Sequence, residues 1–221
     1  MTQEEFIGPA SPEWPAPPFT LIGPGVGGTS GNPPLFPTGT YGAQQPRPLA
    51  ITDLDQFKTT PVVAGYPVNF RRFYAPVDQV KPALAYILAA AQHSLIISMY
   101  GFDDPDLADI IKQKLADENV FVQLTLDKSQ AAGAHEKLLL EKENYPASSI
   151  AIGTSEHHRI IHMKLFVVDS LFTVAGSTNL SVSGETLQDN EMTVHQDPFV
   201  AAEATNRLNH LHAYVAQEKP R

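Results

Sequence analysis

The sequence predicts an α/β protein: a mixed or mainly parallel sheet with helices on both faces, preceded by an extended arm rich in proline and glycine. Two observations carry this. From about residue 67, short apolar and β-branched runs alternate with amphipathic helical stretches, an order that builds a sheet covered by helices. Before that point breakers are dense: residues 1 to about 60 hold 11 of the 19 prolines and 8 of the 14 glycines. The 221 residues suit one domain and an appendage. We divide them into an arm over 1–66 and a folded domain over 67–221.

The arm carries Pro17-Pro18, Gly23-Pro24-Gly25, Gly27-Gly28 and Pro33-Pro34, which exclude long helices or strands. Polyproline II character with little core of its own is expected. Phe6, Trp14, Phe19, Leu21, Ile22, Leu35 and Phe36 are nevertheless spaced along it. Such a segment can lie along its own domain, along a second subunit or on a partner, or can be a flexible extension.

In the domain, Val68 to Tyr74 alternates as a strand does. Asp78 is the expected cap of a helix running to about His93, with Val80, Leu84, Ile87, Leu88 and Ala91 on one face. Pro82 falls in its first turn, where a missing N–H costs little. Ser94 to Tyr100 reads as a buried strand. Asp104 with Pro105 opens a second helix whose apolar face is Leu107, Ile110, Ile111 and Leu115. Asn119 to Leu126 is the next strand, ending in Asp127-Lys128-Ser129-Gln130. A helix over about His135 to Glu143 and a short strand from Ser149 to Gly153 follow. Ile161 to Val168 and Leu171 to Ala175 form a hairpin turning at Asp169 and Ser170. Glu191 to His195 is the last strand, and a helix from about Pro198 to Gln217 closes the domain.

Composition bounds the function. Fifteen basic residues stand against 24 acidic, for a net charge of −9, which is not the balance of a protein that coats nucleic acid. A local patch around one site would still permit a nuclease. The absence of cysteine excludes a disulfide framework and thiolate metal sites. The first residues lack the charged and apolar regions of a secretory signal, and no apolar run approaches the ~20 residues of a membrane span, so a cytoplasmic location is expected.

The chain is organised around His162 to Asn179. Side chains two apart on a strand share a face, so His162 and Lys164 point the same way. Gly176 allows a close backbone approach. Ser177 and Asn179 leave the second hairpin strand near the level of His162. An imidazole, an ammonium, a hydroxyl and a carboxamide then converge on one small volume, a set suited to a phosphodiester. Lys164, Ser177 and Asn179 can donate to non-bridging oxygens as negative charge builds, while His162 can attack phosphorus or move a proton.

The stretch resembles the signature of the phospholipase D superfamily, His-x-Lys-x4-Asp-x6-Gly-Ser-x-Asn, with His162, Lys164, Asp169, Gly176, Ser177 and Asn179 at the specified positions. At one residue type in about twenty, six matches at fixed spacing arise by chance on the order of once in 10^5 chains of this length. The resemblance covers about residues 67 to 216. It implies an α/β/α sandwich, metal-independent phosphodiester chemistry without a cofactor, and a covalent phosphohistidine. Asp169, although part of the signature and so counted with the catalytic residues, sits at a strand end, where a turn role is the stronger expectation. The resemblance also implies a carboxylate near Glu191 that orients the catalytic imidazole. Lys128 resembles a groove-lining position of related nucleases, and Arg159 lies close enough to the motif to steer a phosphate.

Two-step displacement needs one group to attack and another to protonate the leaving oxygen and then activate water. One imidazole does not readily do both from opposite sides of phosphorus. Only one copy of the motif is present. The small bacterial endonucleases of the superfamily, similar in this respect, pair two chains, so a homodimer with one shared active site is expected. His157 and His158 with His162 suggest a metal cluster at first sight, but adjacent strand residues face opposite ways and no cysteine or paired carboxylate completes a site. Of the adjacent pair Arg71 and Arg72, one is expected to face solvent and the other to make a structural pair. His93, His135, His195, His210 and His212 are assigned surface or structural positions.

Three functions fit these residues. The favoured one is a nuclease acting on DNA or RNA. The second is a phospholipase D-type lipid hydrolase or transphosphatidylase, which should show apolar loops beside the site; the mostly polar run from Ser181 to Asp189 argues against it. The third is a non-catalytic module that keeps a phosphate pocket, disfavoured by retention of every signature position.

Overall fold

The computed structural model describes residues 48–217, so the arm up to residue 47 lies outside the described residues. A seven-stranded mixed sheet forms from β1 (Phe70–Ala75), β2 (Ser94–Met99), β3 (Phe121–Asp127), β4 (Ile150–Gly153), β5 (Lys164–Val168), β6 (Phe172–Gly176) and β7 (Asn190–Gln196). The order is β1-β7-β6-β5-β2-β3-β4. Strands β2, β3 and β4 are parallel, and the remaining pairs are antiparallel.

Helices α1 (Val80–Ala89), α2 (Pro105–Leu115), α3 (Lys128–Ala131), α4 (Ala134–Glu143), α5 (Val182–Thr186) and α6 (Pro198–Gln217) complete the domain. One sheet face packs on α1 and α2, where Leu84, Ile87, Leu88, Leu107 and Ile111 join Leu95, Ile97, Phe166 and Val194 in the main core. The other face packs on α6 through Ile96 and Val167 against Ala201 and Leu208, and through Ala151 and Ile161 against Leu211 and Val215. This is the expected sandwich. Strand β2, central and covered on both sides, is buried along almost its whole length, as its unbroken apolar run requires.

Several local expectations hold for the stated reasons. Asp104 caps α2 by accepting from the N–H groups of Asp106 and Leu107, with Pro105 in the first turn. Asp169 and Ser170 take left-handed φ values of 51° and 54° and, with Leu171, make the three-residue connection between Val168 and Phe172, at the turn the sequence places there. Arg71 is buried and pairs with Asp55, while Arg72 is exposed.

Others shift. Helix α1 ends at Ala89 rather than near His93, and the Asp78 side chain does not cap it. The Asp78 carboxylate instead accepts from Thr59 N–H at 2.8 Å, Tyr74 N–H at 2.9 Å and Lys58 Nζ at 2.7 Å, tying the chain before β1 to its end. A 3-10 helix over Ile51–Phe57 precedes β1, and Leu49, Ile51, Leu54 and Phe57 belong to the main core. These residues lie ahead of position 67, where the sequence puts the start of the domain. Strand β5 begins at Lys164, not Ile161, because the Ile161 N–H is taken by the Asp127 carboxylate at 2.6 Å. The run after Asn179 folds into α5, capped by Ser181. Among the described residues no helix is long and apolar enough to cross a membrane.

Candidate active site

The site lies at one end of the sheet, where β2 and β6 finish and β5 and β7 begin. His162 is exposed on the short segment leading into β5. That segment is held from both sides: Ile161 N–H donates to Asp127, and Tyr100 N–H donates to the Met163 carbonyl at 2.8 Å. Tyr100, just past β2, forms the floor. Its ring meets the His162 imidazole edge-on, with centroids 4.7 Å apart, and the Lys164 ammonium sits 4.7 Å from its centroid. Gln130 on α3 donates to the Tyr100 hydroxyl at 3.0 Å.

Lys164 is 8% exposed. Its ammonium donates to the His162 carbonyl at 3.1 Å, which uses one of three donors. Burial lowers its pKa from the ordinary lysine value, since a desolvated cation gives up its proton more readily.

The exit from β6 supplies the other polar groups. Gly176 has φ 156°, and a Cβ there would come within 2.2 Å of the Glu191 carbonyl oxygen, so only glycine lets β6 approach β7 this closely. The Ser177 hydroxyl donates to Asn190 Oδ1 at 2.9 Å and accepts from the Glu191 N–H at 3.0 Å. Its proton is therefore engaged within the chain and not aimed at a phosphate. Asn179 Oδ1 accepts from the Gly101 N–H at 3.1 Å, which turns the amide so that its NH2 is the end left to donate. Lys164, Gly176, Thr178, Leu180 and Glu191 line one small pocket.

The remaining candidates are placed differently. Asp169 lies at the far end of β5, where its carboxylate accepts from the N–H groups of Gln92, His93 and Ser94 at 2.7–3.1 Å. It closes the turn between α1 and β2 and stands apart from the cluster around His162, although the signature counts it with the catalytic residues. The Glu191 carboxylate faces Arg72 at 3.7 Å. Neither ring nitrogen of His162 has a hydrogen-bond partner among the described residues. Lys128 is exposed at the start of α3, the helix that reaches Tyr100 through Gln130. Arg159 is exposed in the turn before His162, with its N–H on Ser155 Oγ at 3.1 Å. Among the described residues no three His, Cys, Asp or Glu side chains gather as a metal site.

Sequence reasoning missed the residues that brace the site from behind. Asp127 is 1% exposed and holds both Ile161 and the Ser129 N–H that begins α3. Glu136, 5% exposed, accepts from the Phe102 N–H at 2.9 Å. Burial, with Asp103 and Asp127 nearby, pushes its pKa up to about 7. A carboxylate directly after an apolar strand run was the available sign for Asp127; nothing local marks Tyr100 or Glu136.

The family described as "Cardiolipin synthase, PLD-like domain" matches residues 84–212. Among solved structures, the fold is similar to Nuc from Salmonella typhimurium, described as a phospholipase D family member, at 21% identity and TM-score 0.55, covering 64% of this chain and 92% of that one. It is similar to NucT from Helicobacter pylori at 17% identity and TM-score 0.55, covering 64% and 94%. Phosphatidylserine synthase from Haemophilus influenzae is similar at 14% identity and TM-score 0.52, covering 73% and 44%. No curated protein matches.

Proposed function

The chain belongs to the phospholipase D-like family, and from that premise we propose that it is a metal-independent phosphodiesterase, a nuclease whose single active site is shared by two copies. The observation that carries this reading is the meeting of His162 and Lys164 on the Tyr100 ring, with the Asn179 amide fixed by Gly101.

In this reading a His162 nitrogen attacks phosphorus and the P–O bond to the leaving group breaks. The leaving oxygen takes a proton from the partner's His162. That imidazole, now neutral, removes a proton from water as the water oxygen attacks phosphorus and the P–N bond breaks, restoring both rings. Lys164 and the Asn179 amide donate to the non-bridging oxygens, where charge grows in the transition state. Ser177 acts through Asn190 and Glu191 by fixing the loop. Glu191 is read as the carboxylate that orients a catalytic imidazole, although within this chain it faces Arg72 at 3.7 Å. Lys128 and Arg159, both exposed, are read as phosphate-steering cations. The arm keeps its boundary at residue 66 in sequence terms, with the packed part beginning near Leu49.

A second reading, a lipid-directed phosphodiesterase, gains one observation. The run from Ser181 to Asp189 is polar in composition, yet it exposes Leu187 at 74% and Val182 at 45% beside the site, as an enzyme working at a lipid surface would.

A parallel assay on single-stranded DNA, duplex DNA, RNA and phosphatidylcholine vesicles, with and without EDTA and with His162→Ala as the blank, tests both. Nucleic-acid cleavage that survives EDTA and vanishes in His162→Ala supports the first reading. Turnover of phosphatidylcholine alone supports the second, and loss of activity on chelation overturns the metal-free mechanism.

A further inference from the structure

Strand parity decides which side chain of β7 stands on the site face. Side chains two apart on a strand share a face. Met192 and Val194 lie in the main core under α1 and α2, and Met192 lines the pocket with Lys164 and Phe166. Asn190, two residues before Met192, therefore begins β7 on the pocket side, opposite the buried Ala75. The Glu191 side chain falls on the other face, where it meets Arg72 at 3.7 Å. Glu191 reaches the exit of β6 through its main chain: its carbonyl accepts from the Ser177 N–H and the Thr178 hydroxyl, each at 3.0 Å.

We infer that Asn190 is a positioning residue of the active site and that the position requires an amide, an inference that rests on the reading of Lys164 and Asn179 as donors to a phosphate. Asn190 Oδ1 accepts from the Ser177 hydroxyl at 2.9 Å, and Nδ2 donates to the Gly184 carbonyl at 3.0 Å and to Gln188 Oε1 at 3.3 Å. Chemistry sets which end faces which way. The Glu191 N–H already donates to Ser177 Oγ at 3.0 Å, which leaves the hydroxyl proton for Oδ1, and the Gly184 carbonyl can only accept. Asn190 thus spans the loop between β6 and β7. One end holds Ser177, two residues before Asn179. The other holds Gly184 in α5, which lies against the Asn179 backbone: a Cβ on Gly184 would come within 3.3 Å of the Asn179 carbonyl oxygen and 3.4 Å of its nitrogen. With the Gly101 N–H on Asn179 Oδ1, these contacts fix the carboxamide from behind and from its oxygen. A carboxylate in place of Asn190 has the same shape and accepts from Ser177 as well, but it puts a charged oxygen where Gly184 and Gln188 need a donor.

The test is calorimetric titration of sulfate, a stand-in for phosphate whose own charge does not change with pH here, into the full chain, Asn190→Asp, Asn190→Ala and Ser177→Ala. Each affinity is read as a ratio to wild type at the same pH. At about pH 8 both Asn190 variants should bind about tenfold more weakly, because the Asn179 amide is displaced. Ser177→Ala releases the same clamp from its other side and should lose a comparable factor, with no further loss when combined with Asn190→Ala. At about pH 5 the introduced carboxyl, held above the ordinary range by the oxygens it faces, regains a proton and with it the missing donor. Asn190→Asp should then return to within about threefold of wild type while Asn190→Ala stays low. Wild-type affinity of Asn190→Asp at about pH 8 means that a carboxylate serves equally and overturns the inference. So does an equal loss in the two Asn190 variants at both pH values, which is lost packing alone, and so does wild-type affinity in Ser177→Ala. A wild type that binds sulfate and cleaves no phosphodiester overturns the proposed function and leaves the inference standing; one that does neither overturns both.

Discussion

The Lys164 ammonium lies 4.7 Å from the centroid of the Tyr100 ring, so the cation at the heart of the signature rests on an aromatic face that the signature does not include. The same ring meets His162. A cation over a largely desolvated ring gains on the order of 1–2 kcal/mol. Tyr100→Ala should therefore lower kcat by about tenfold, and Tyr100→Phe, which keeps the ring and loses only the Gln130 bond, should stay within about threefold. Steady-state kinetics on the preferred phosphodiester reads both; equal losses would place the effect in the hydroxyl instead.

Lys164→Ala removes the donor itself. An oxyanion donor contributes roughly 3 kcal/mol, or about a hundredfold in kcat. Lys164→Arg should recover little, because a planar fork does not replace a compact ammonium in a position only 8% exposed. The comparison needs kcat and KM separately: a change confined to KM would make Lys164 a ground-state binder.

What could be read from the chain was whatever depends on neighbours in sequence. His162 and Lys164 are two apart, Asp169 and Ser170 form a tight turn, and Asp104 precedes Pro105; each carries its geometry locally. The bracing contacts were not legible. Asp127 holds Ile161 and Glu136 holds Phe102 across 34 residues in each case, and only the folded sheet brings those pairs together. Asp78 reads as a cap because it precedes a helix, yet three donors from Lys58, Thr59 and Tyr74 claim it first. The 3-10 helix at Ile51–Phe57 was hidden by the composition of the arm that precedes it.

Asp169 separates stability from chemistry. Its carboxylate accepts from three consecutive N–H groups, and hydrogen bonds to a charged acceptor contribute roughly 1.5–3 kcal/mol. Asp169→Ala should lose about that much in urea unfolding, while its kcat at a temperature where it remains folded should stay within about threefold of wild type. A hundredfold fall in kcat with unchanged stability would return Asp169 to the catalytic set.

Gly101 gives a test of Asn179 without altering it. A Cβ at Gly101 would sit 3.1 Å from Asn179 Cγ, closer than comfortable contact, so Gly101→Ala should displace the carboxamide. The expected result is a fall in kcat of about tenfold with little change in thermal stability, matched by Asn179→Ala. In the double variant the losses should not add, because both act through one group. Additive losses would mean that Gly101 serves the site by another route.

Glu185 is expected to make the fold's stability depend on pH. It is 1% exposed, and burial, reinforced by the nearby Asp104, pushes its pKa up to about 9. Glu136 is pushed up to about 7. An unfolded glutamate titrates at 4.5, so between that value and the raised one the folded chain holds more protons than the unfolded chain. Stability must then fall as pH rises. The contribution of Glu185 is complete below pH 4.5 and is lost as pH climbs through about 9; that of Glu136 is lost by about 7. Thermal melts from about pH 5 to about pH 9.5 should show a declining Tm, steepest where the two windows overlap. Glu185→Gln keeps the shape and removes the titration, so its decline should flatten above about pH 7, with the variant overtaking wild type near about pH 9. Parallel declines in the two proteins would show that Glu185 is ionised in the fold and that another group carries the dependence.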